Sequence, residues 1–379
     1  MDSAARARFD AQMMGIALRV AARGLGRTSP NPSVGAVIAD EATGEVIARA
    51  WTAPGGRPHA EPQAIAKAGA RARGTTLYVT LEPCSHHGAT PPCADAIVTA
   101  GIGRVVCAIE DPDPRVAGTG LSRLREAGIV VERGVGAEEA HWVTAGHILR
   151  VTERRPYVTA KLALDGGGGV PRGGEGQPTW VTGEGARAQG HLLRARSDAI
   201  LVGRRTVIDD DPALTCRLPG LEDRSPVRIV LARDPAGLET SRLVRTAGEH
   251  PLWVFCAEGV DAAALAAAGV RIFSMPLVDG QLWLPAVMEM LAAAGITRLL
   301  IEGGPATWRS FSRAGLIDEV ALFHARGKER AALADEKALQ VLGRYISAGG
   351  LTIYDRRTIG GDDMLALRRP WLRDGTRAA

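Results

Sequence analysis

Apolar positions along the chain alternate between two spacings. Residues 3–24 repeat them three and four apart, as one face of a helix does, which predicts a first helix ending near Gly24. After the turn-forming Ser29-Pro30-Asn31-Pro32, the run NPSVGAVIAD predicts a buried strand, with GEVIARAWT as its hairpin partner. HAEPQAIAKAGARARG, closed by Gly74, returns to helical spacing. TTLYVTLE then predicts a strand, PPCADAIVTAG a helix, RVVCAIEDP a strand, and LSRLREAG followed by IVVERGV one more helix and strand. The alternation predicts a three-layer α/β domain around a mixed sheet over the first 135 residues or so.

HWVTAGHILRVTERRP reads as a helix and a charged connector ending at Pro156, which puts a domain boundary near residue 150 and divides the chain into 1–150 and 151–379. A second α/β series follows. Its expected strands are YVTAKLAL, DAILVG, VRIVLA, LWVFCA and RLLIEG, with helices such as EGARAQGHLLRARS and LPAVMEMLAAAG between them. IDEVALFHA and LTIYDRRTIG read as closing strands, residues 327–350 fit neither spacing, and the glycine-dense 165–176 reads as a flexible loop.

Length supports two domains, since one hydrophobic core rarely serves 379 residues. The chain is 46% hydrophobic and 23% charged with no apolar run of about 18 residues, which fits a soluble globular class and no membrane span. The N-terminus lacks an apolar signal region, so a cytoplasmic location is expected. A net charge of +4, carried mostly by Arg, shows no basic stripe interleaved with aromatics, and no nucleic-acid partner is expected.

The five cysteines make a poor disulfide framework; Cys107, Cys216 and Cys256 sit among apolar neighbours and read as small core residues. Cys84 and Cys93 differ, because they lie in LEPCSHHGATPPCA with two histidines and three prolines. A catalytic zinc takes three protein donors, and His59 in the upstream His59-Ala60-Glu61 supplies the third. His-x-Glu followed by Pro-Cys and a second Cys is the pattern of zinc nucleobase deaminases, with the glutamate beside the metal as proton shuttle. The residues also admit a closed structural zinc with His86 or His87 as fourth ligand, and a site without metal.

The eight-residue insertion SHHGATPP departs from the tight C-x-x-C of cytidine deaminases. With HAE, LEPCSHHG-x-TPPC, the upstream Asn31-Pro32-Ser33-Val34-Gly35 and the downstream EDPDPRVAGTG, the chain closely resembles the bifunctional riboflavin-biosynthesis enzymes, a pyrimidine deaminase fused to a reductase. The resemblance continues through PYVTAKLAL, TWVTG, HLLRARSDAILVGRRTVIDDDPALTCR and IEGGP. It implies a cytidine-deaminase-like domain followed by a dihydrofolate-reductase-like α/β domain, with zinc and NADPH as cofactors and a phosphorylated pyrimidine as substrate. A homo-oligomer is also expected.

Carried over by position, Glu61 is the catalytic residue; His59, Cys84 and Cys93 hold the metal; Asn31 and His86 touch the deaminase substrate. In the second half Lys161, Thr179, Arg194, Leu214, Arg217 and Glu302 correspond to substrate positions, and Ala163, Trp180, Thr206, Asp210, Gly304 and Pro305 to cofactor positions. Arg194 and Arg217 together suit a bidentate grip on phosphate, and Lys161 suits the sugar end. No strand-anchored G-x-G-x-x-G is present; the strand-to-helix turn Glu302-Gly303-Gly304-Pro305 is the candidate phosphate turn instead. Three departures stand out: Ala89 where the family has Lys or Arg, Asp113 where it has Asn, and LALDGGGG where it has Ser-Leu-Asp-Gly after the lysine. The last leaves open a second reading, an active deaminase whose C-terminal half binds ligand without turnover.

Overall fold

The computed structural model describes residues 2–86, 91–170, 181–326, 334–347 and 349–371. It divides into two compact units, Met1–Arg154 and Arg155–Ala379.

In the first unit, α1 (Ser3–Ala21) is followed by β1 (Gly35–Ala39), β2 (Val46–Trp51), α2 (Ala60–Ala68), β3 (Thr76–Val79), α3 (Cys93–Ala100), β4 (Arg104–Cys107), α4 (Thr119–Glu126), β5 (Val130–Arg133) and α5 (Ala137–Thr152). The sheet order is β2-β1-β3-β4-β5. β1 pairs antiparallel with β2 and β3, whereas β3, β4 and β5 run parallel, so the sheet is mixed as the alternation implied. Helices α1 and α5 pack together on one side, α2, α3 and α4 on the other. The central strands β1, β3 and β4 are buried along their whole length, which is why they read as apolar runs and not as alternating ones.

One polar network ties the sheet to α1. The Arg104 guanidinium reaches Asp10 at 2.7 Å, Glu41 at 2.7 Å and Glu132 at 2.8 Å, while the Tyr78 hydroxyl donates to Asp10 at 2.7 Å. Burial raises the Asp10 carboxyl, but Arg104 and Tyr78 outweigh it and hold the group below its ordinary range.

The second unit runs β6 (Tyr157–Leu164), α6 (Glu184–Ala195), β7 (Ala199–Gly203), α7 (Arg204–Asp210), β8 (Val227–Leu231), α8 (Arg242–Arg245), β9 (Leu252–Ala257), α9 (Ala263–Ala267), β10 (Arg271–Met275), a small hairpin of β11 (Leu277–Val278) and β12 (Gln281–Leu282), α10 (Leu284–Ala293), β13 (Arg298–Ile301), α11 (Pro305–Arg313), β14 (Glu319–His324), α12 (Asp335–Leu342), β15 (Thr352–Ile359) and β16 (Asp362–Arg368). Nine strands form one sheet in the order β10-β9-β8-β7-β13-β6-β14-β16-β15. It is parallel from β10 to β14 and closes with two antiparallel pairings. Successive residues of β7 feed two separate cores, Ala199 and Leu201 one and Ile200 and Val202 the other, so both faces are covered. The buried Asp198 carboxylate accepts from the Thr297 amide and hydroxyl and the Arg298 amide, locking the starts of β7 and β13 together.

Several elements differ from the expectations. β10, the β11–β12 hairpin and β16 were missed, and α12 occupies part of the stretch that fitted neither spacing. β16 reads DDMLALR, where charge at the start masks a buried strand. The expected flexible loop is a folded turn over its first residues: the Asp165 carboxylate accepts the amides of Gly167 at 2.9 Å and Gly169 at 2.8 Å. Residues 171–176 of that loop lie outside the described residues. No helix among the described residues is long and apolar enough to cross a membrane.

Replacing Arg104 would strand the buried Asp10 carboxylate. Arg104→Leu is expected to destabilise the first unit by about 3–5 kcal/mol, measurable as a lower urea midpoint.

Candidate functional site

The first unit brings its predicted donors together at two helix starts. His59 is the residue immediately before α2 and Cys93 is the first residue of α3, and these helices pack side by side. Cys84 lies on the loop leaving β3, where its sulfur accepts the Cys93 amide at 3.3 Å. His59 Nδ1 stands 3.3 Å from Cys93 Sγ and 3.7 Å from Cys84 Sγ, and all three donor atoms lie within 4.8 Å of one another. A tetrahedral zinc with ordinary Zn–N and Zn–S bonds separates such donors by about 3.6 Å, so the observed spacings fit the ion. Nδ1 faces both sulfurs, so a neutral ring that offers it as a ligand carries its proton on Nε2.

The electrostatics favour a cation here. The Cys93 thiol and amide and the His59 ring point at Cys84, and together they overcome burial to hold its thiol low, at about 4. Cys93 moves up in return, because it shares its proton with Cys84 and is buried. Glu61, in the first turn of α2, is 3% exposed. Burial pushes its carboxyl up to about 7, opposed chiefly by the His59 charge. An added divalent cation works in the same direction as His59. Among the described residues no fourth His, Cys or acid joins the cluster, and His86 is exposed outside it. His87 lies outside the described residues.

Sequence reasoning passed over Glu82. Its buried carboxylate accepts four backbone amides: Gly118 at 2.9 Å, Gly120 at 2.9 Å, Asp111 at 3.2 Å and Leu121 at 3.3 Å. It thereby clamps EDPDPRVAGTG and the start of α4 to the Pro83-Cys84 backbone. Gly120 is obligatory there, because a Cβ would stand 2.0 Å from the Pro83 carbonyl oxygen. The available signal was an acidic residue ending the strand-forming run TLYVTLE. Asn31 Nδ2 donates to the Gly56 carbonyl at 3.0 Å, which places it against the loop leading to His59. Asp113 is engaged by Arg115, whose side chain and amide hold its carboxyl down at about 2 against burial. Ala89 lies outside the described residues.

In the second unit Lys161, Ala163, Thr206, Asp210, Glu302, Gly304 and Pro305 all line one cavity of about 760 Å³. Glu302 leaves the end of β13 with its carboxylate buried; Arg194 Nε and Nη2 hold it at 2.7 and 2.9 Å, and Lys161 Nζ lies 3.6 Å away. Burial raises the Glu302 carboxyl, but Arg194 and Lys161 prevail and bring it down to about 2. Arg194 Nη1 also donates to the Thr215 carbonyl at 2.9 Å. Of the two arginines expected to grip phosphate, Arg194 is paired with Glu302 and Thr215, and Arg217 is the exposed guanidinium. Leu214 is buried with φ +55°, and the amide of Arg217 donates to His191 Nδ1 at 3.3 Å, so the backbone of this segment is anchored while the Arg217 side chain is exposed. Thr179 and Trp180 lie outside the described residues. Among the described residues no side chain caps α11, so the amides of Ala306 and Thr307, after Pro305 with its missing N–H, are available to a phosphate, which fits a dinucleotide in this cavity.

A deaminase-type metal centre on one α/β unit and a charged cavity at the strand ends of a second define a two-site enzyme. Family models match both units: "Cytidine and deoxycytidylate deaminase zinc-binding region" over residues 7–109, and "RibD C-terminal domain" over residues 156–326. The riboflavin biosynthesis protein RibD of Aquifex aeolicus is 39% identical over 319 residues, covering 84% of this chain and 87% of that protein. RibD of Acinetobacter baumannii superposes with a TM-score of 0.80 at 31% identity, covering 97% of this chain and 100% of that one. A Thermotoga maritima structure titled diaminohydroxyphosphoribosylaminopyrimidine deaminase/5-amino-6-(5-phosphoribosylamino)uracil reductase gives 0.80 at 31% identity, covering 96% and 99%. The chain belongs to the RibD family and is a bifunctional riboflavin-biosynthesis enzyme, deaminase and reductase in one polypeptide. A C-terminal half that binds without turnover is not favoured.

Two measurements test these geometries. Glu82→Ala leaves four buried amides without their acceptor and is expected to weaken zinc binding about 10- to 100-fold, read by competition with a chromophoric chelator. Glu302 is depressed on folding, so its contribution to stability is present above about pH 4.3, the ordinary glutamate value, and is lost as pH falls toward about 2. Glu302→Gln should flatten that acid limb of the second unit's urea unfolding; an unchanged limb would refute the assignment.

Proposed function

We propose that the first unit hydrolyses an amino group from a phosphoribosylamino-diaminopyrimidine and that the second reduces the ring-opened ribosyl group of the product to ribityl, with NADPH as donor. The observation that carries this reading is the convergence of His59, Cys84 and Cys93 within 4.8 Å, with Glu61 buried beside them. His59, Cys84 and Cys93 hold the zinc, which when bound supplies Lewis acidity toward water. Glu61 takes a proton from the attacking water and returns it to the departing amino group, so water enters, ammonia leaves and the ring carbon keeps the oxygen. Contact with the pyrimidine is assigned to Asn31, whose bond to the Gly56 carbonyl lies on the loop leading to His59, and to His86, exposed two residues after Cys84.

In the second unit NADPH, when bound, supplies the hydride. Gly304, Pro305, Thr206, Asp210 and Ala163 are its wall residues in the cavity. Lys161 holds a proton at Nζ for the sugar end, and the buried Arg194–Glu302 pair fixes the lysine by charge. Arg217 supplies the cation for the substrate phosphate, and Leu214 shapes the segment that carries it. Thr179 and Trp180 complete the assignment from the sequence.

Incubation of the zinc-loaded enzyme with the phosphorylated diaminopyrimidine and NADPH should release ammonia first and consume NADPH only afterwards. Glu61→Gln is expected to retain zinc while ammonia release falls about 10²- to 10⁴-fold. Ammonia release at the original rate would remove Glu61 from the proton transfer.

A further inference from the structure

Tyr345 stands beyond residues 156–326, the span matched by the reductase family model, yet it lines the second-unit cavity beside Lys161, Gly304 and Trp308. Its hydroxyl donates to the Gly168 carbonyl at 3.1 Å. Its ring meets the Trp308 indole edge to face, with centroids 5.9 Å apart, and the Arg309 guanidinium lies over it. Gly168 sits in the turn closed by Asp165, inside the glycine run where the sequence departs from Ser-Leu-Asp-Gly.

The same C-terminal segment meets this turn a second time. Gly168 has φ +77°, and a Cβ there would stand 2.8 Å from Val341 Cγ1 of α12. Two residues further on, Val170 lines the cavity and packs with Tyr345 against the core of this unit. A run of four glycines has high conformational entropy and cannot by itself hold the Val170 that follows it in place. The Asp165 turn shapes the run internally, and Tyr345 with Val341 anchors it to the rest of the unit.

We propose that Tyr345 is a positioning residue for the nicotinamide cofactor, pinning Gly168 so that Val170, the residue of this run that lines the cavity, is held in place. This rests on the reading that the cavity takes NADPH. The pin acts through the loop backbone and not on the reacting atoms, so it governs how readily the cofactor binds and leaves the turnover of the filled site unchanged.

Tyr345→Phe preserves the ring against Trp308 and removes only the hydrogen bond. The KM for NADPH should rise roughly three- to tenfold, the range a single hydrogen bond of this kind carries, with kcat at saturating NADPH within about twofold and ammonia release unaltered. Gly168→Ala attacks the same contact from the other side and should raise the KM further, and the double variant should fall short of the product of the two effects. An unchanged NADPH KM in Tyr345→Phe, or a lower kcat at unchanged KM, overturns the proposal, and Tyr345→Phe alone decides if Gly168→Ala does not fold. Failure of the unaltered chain to bind or oxidise NADPH would instead overturn the cofactor reading itself.

Discussion

Three metal donors must meet within 4.8 Å of one another, although they come from positions 59, 84 and 93, with the Glu61 carboxyl buried in the first turn of α2. Packing α2 against α3 does most of this, because His59 and Cys93 stand at the starts of those two helices. Both helix starts present partial positive charge, which favours thiolate sulfur and a nearby carboxylate. Burying an ionised glutamate costs several kcal/mol, and a positive charge beside Glu61, on the protonated His59 ring or on a metal bound by the neutral ring, offsets that cost. The rest of the unit keeps the backbone from relaxing: the fully buried strands β1, β3 and β4 support the loops, and Glu82 ties Pro83-Cys84 to the start of α4 through four amides.

The second unit solves a different problem. Its cavity lies where the parallel strands end, the usual location for a ligand in an open α/β sheet. A charge trio is assembled there before any ligand arrives: Glu302 follows β13, Lys161 comes from the neighbouring β6, and Arg194 from α6. Arg194 neutralises Glu302 by a bidentate grip, which leaves Lys161 held but at a looser 3.6 Å and facing the cavity. A pair fixed this way needs no rearrangement when substrate binds, which is the electrostatic advantage of preorganisation. The glycine run that leads to Val170 at the cavity borrows its rigidity from α12 and the turn that follows it.

Much of this was legible from residue types and spacing. The apolar runs of β1, β3, β6, β7 and β13 announced strands buried on both faces, and HAE with the two separated cysteines announced the donor set, because thiolate sulfur and imidazole nitrogen are common zinc ligands. The positive-φ turns and the strand-to-helix turn at Gly303-Gly304-Pro305 were likewise local signals. What spacing could not reveal was partnership across the chain. Nothing local announced that Arg194 is paired with Glu302, 108 positions away. Glu82 looked like a strand end until four amides from residues 111–121 converged on it. The glycine run looked loose because its restraint, at residues 341 and 345, belongs to a segment whose own pattern is weak. Sequence alone therefore determined which atoms are available for chemistry, since that is a property of side chains and of local backbone preference. Tertiary structure decided which of them are already spent on one another, because hydrogen bonds and charge pairing depend on distances that only the folded sheet establishes.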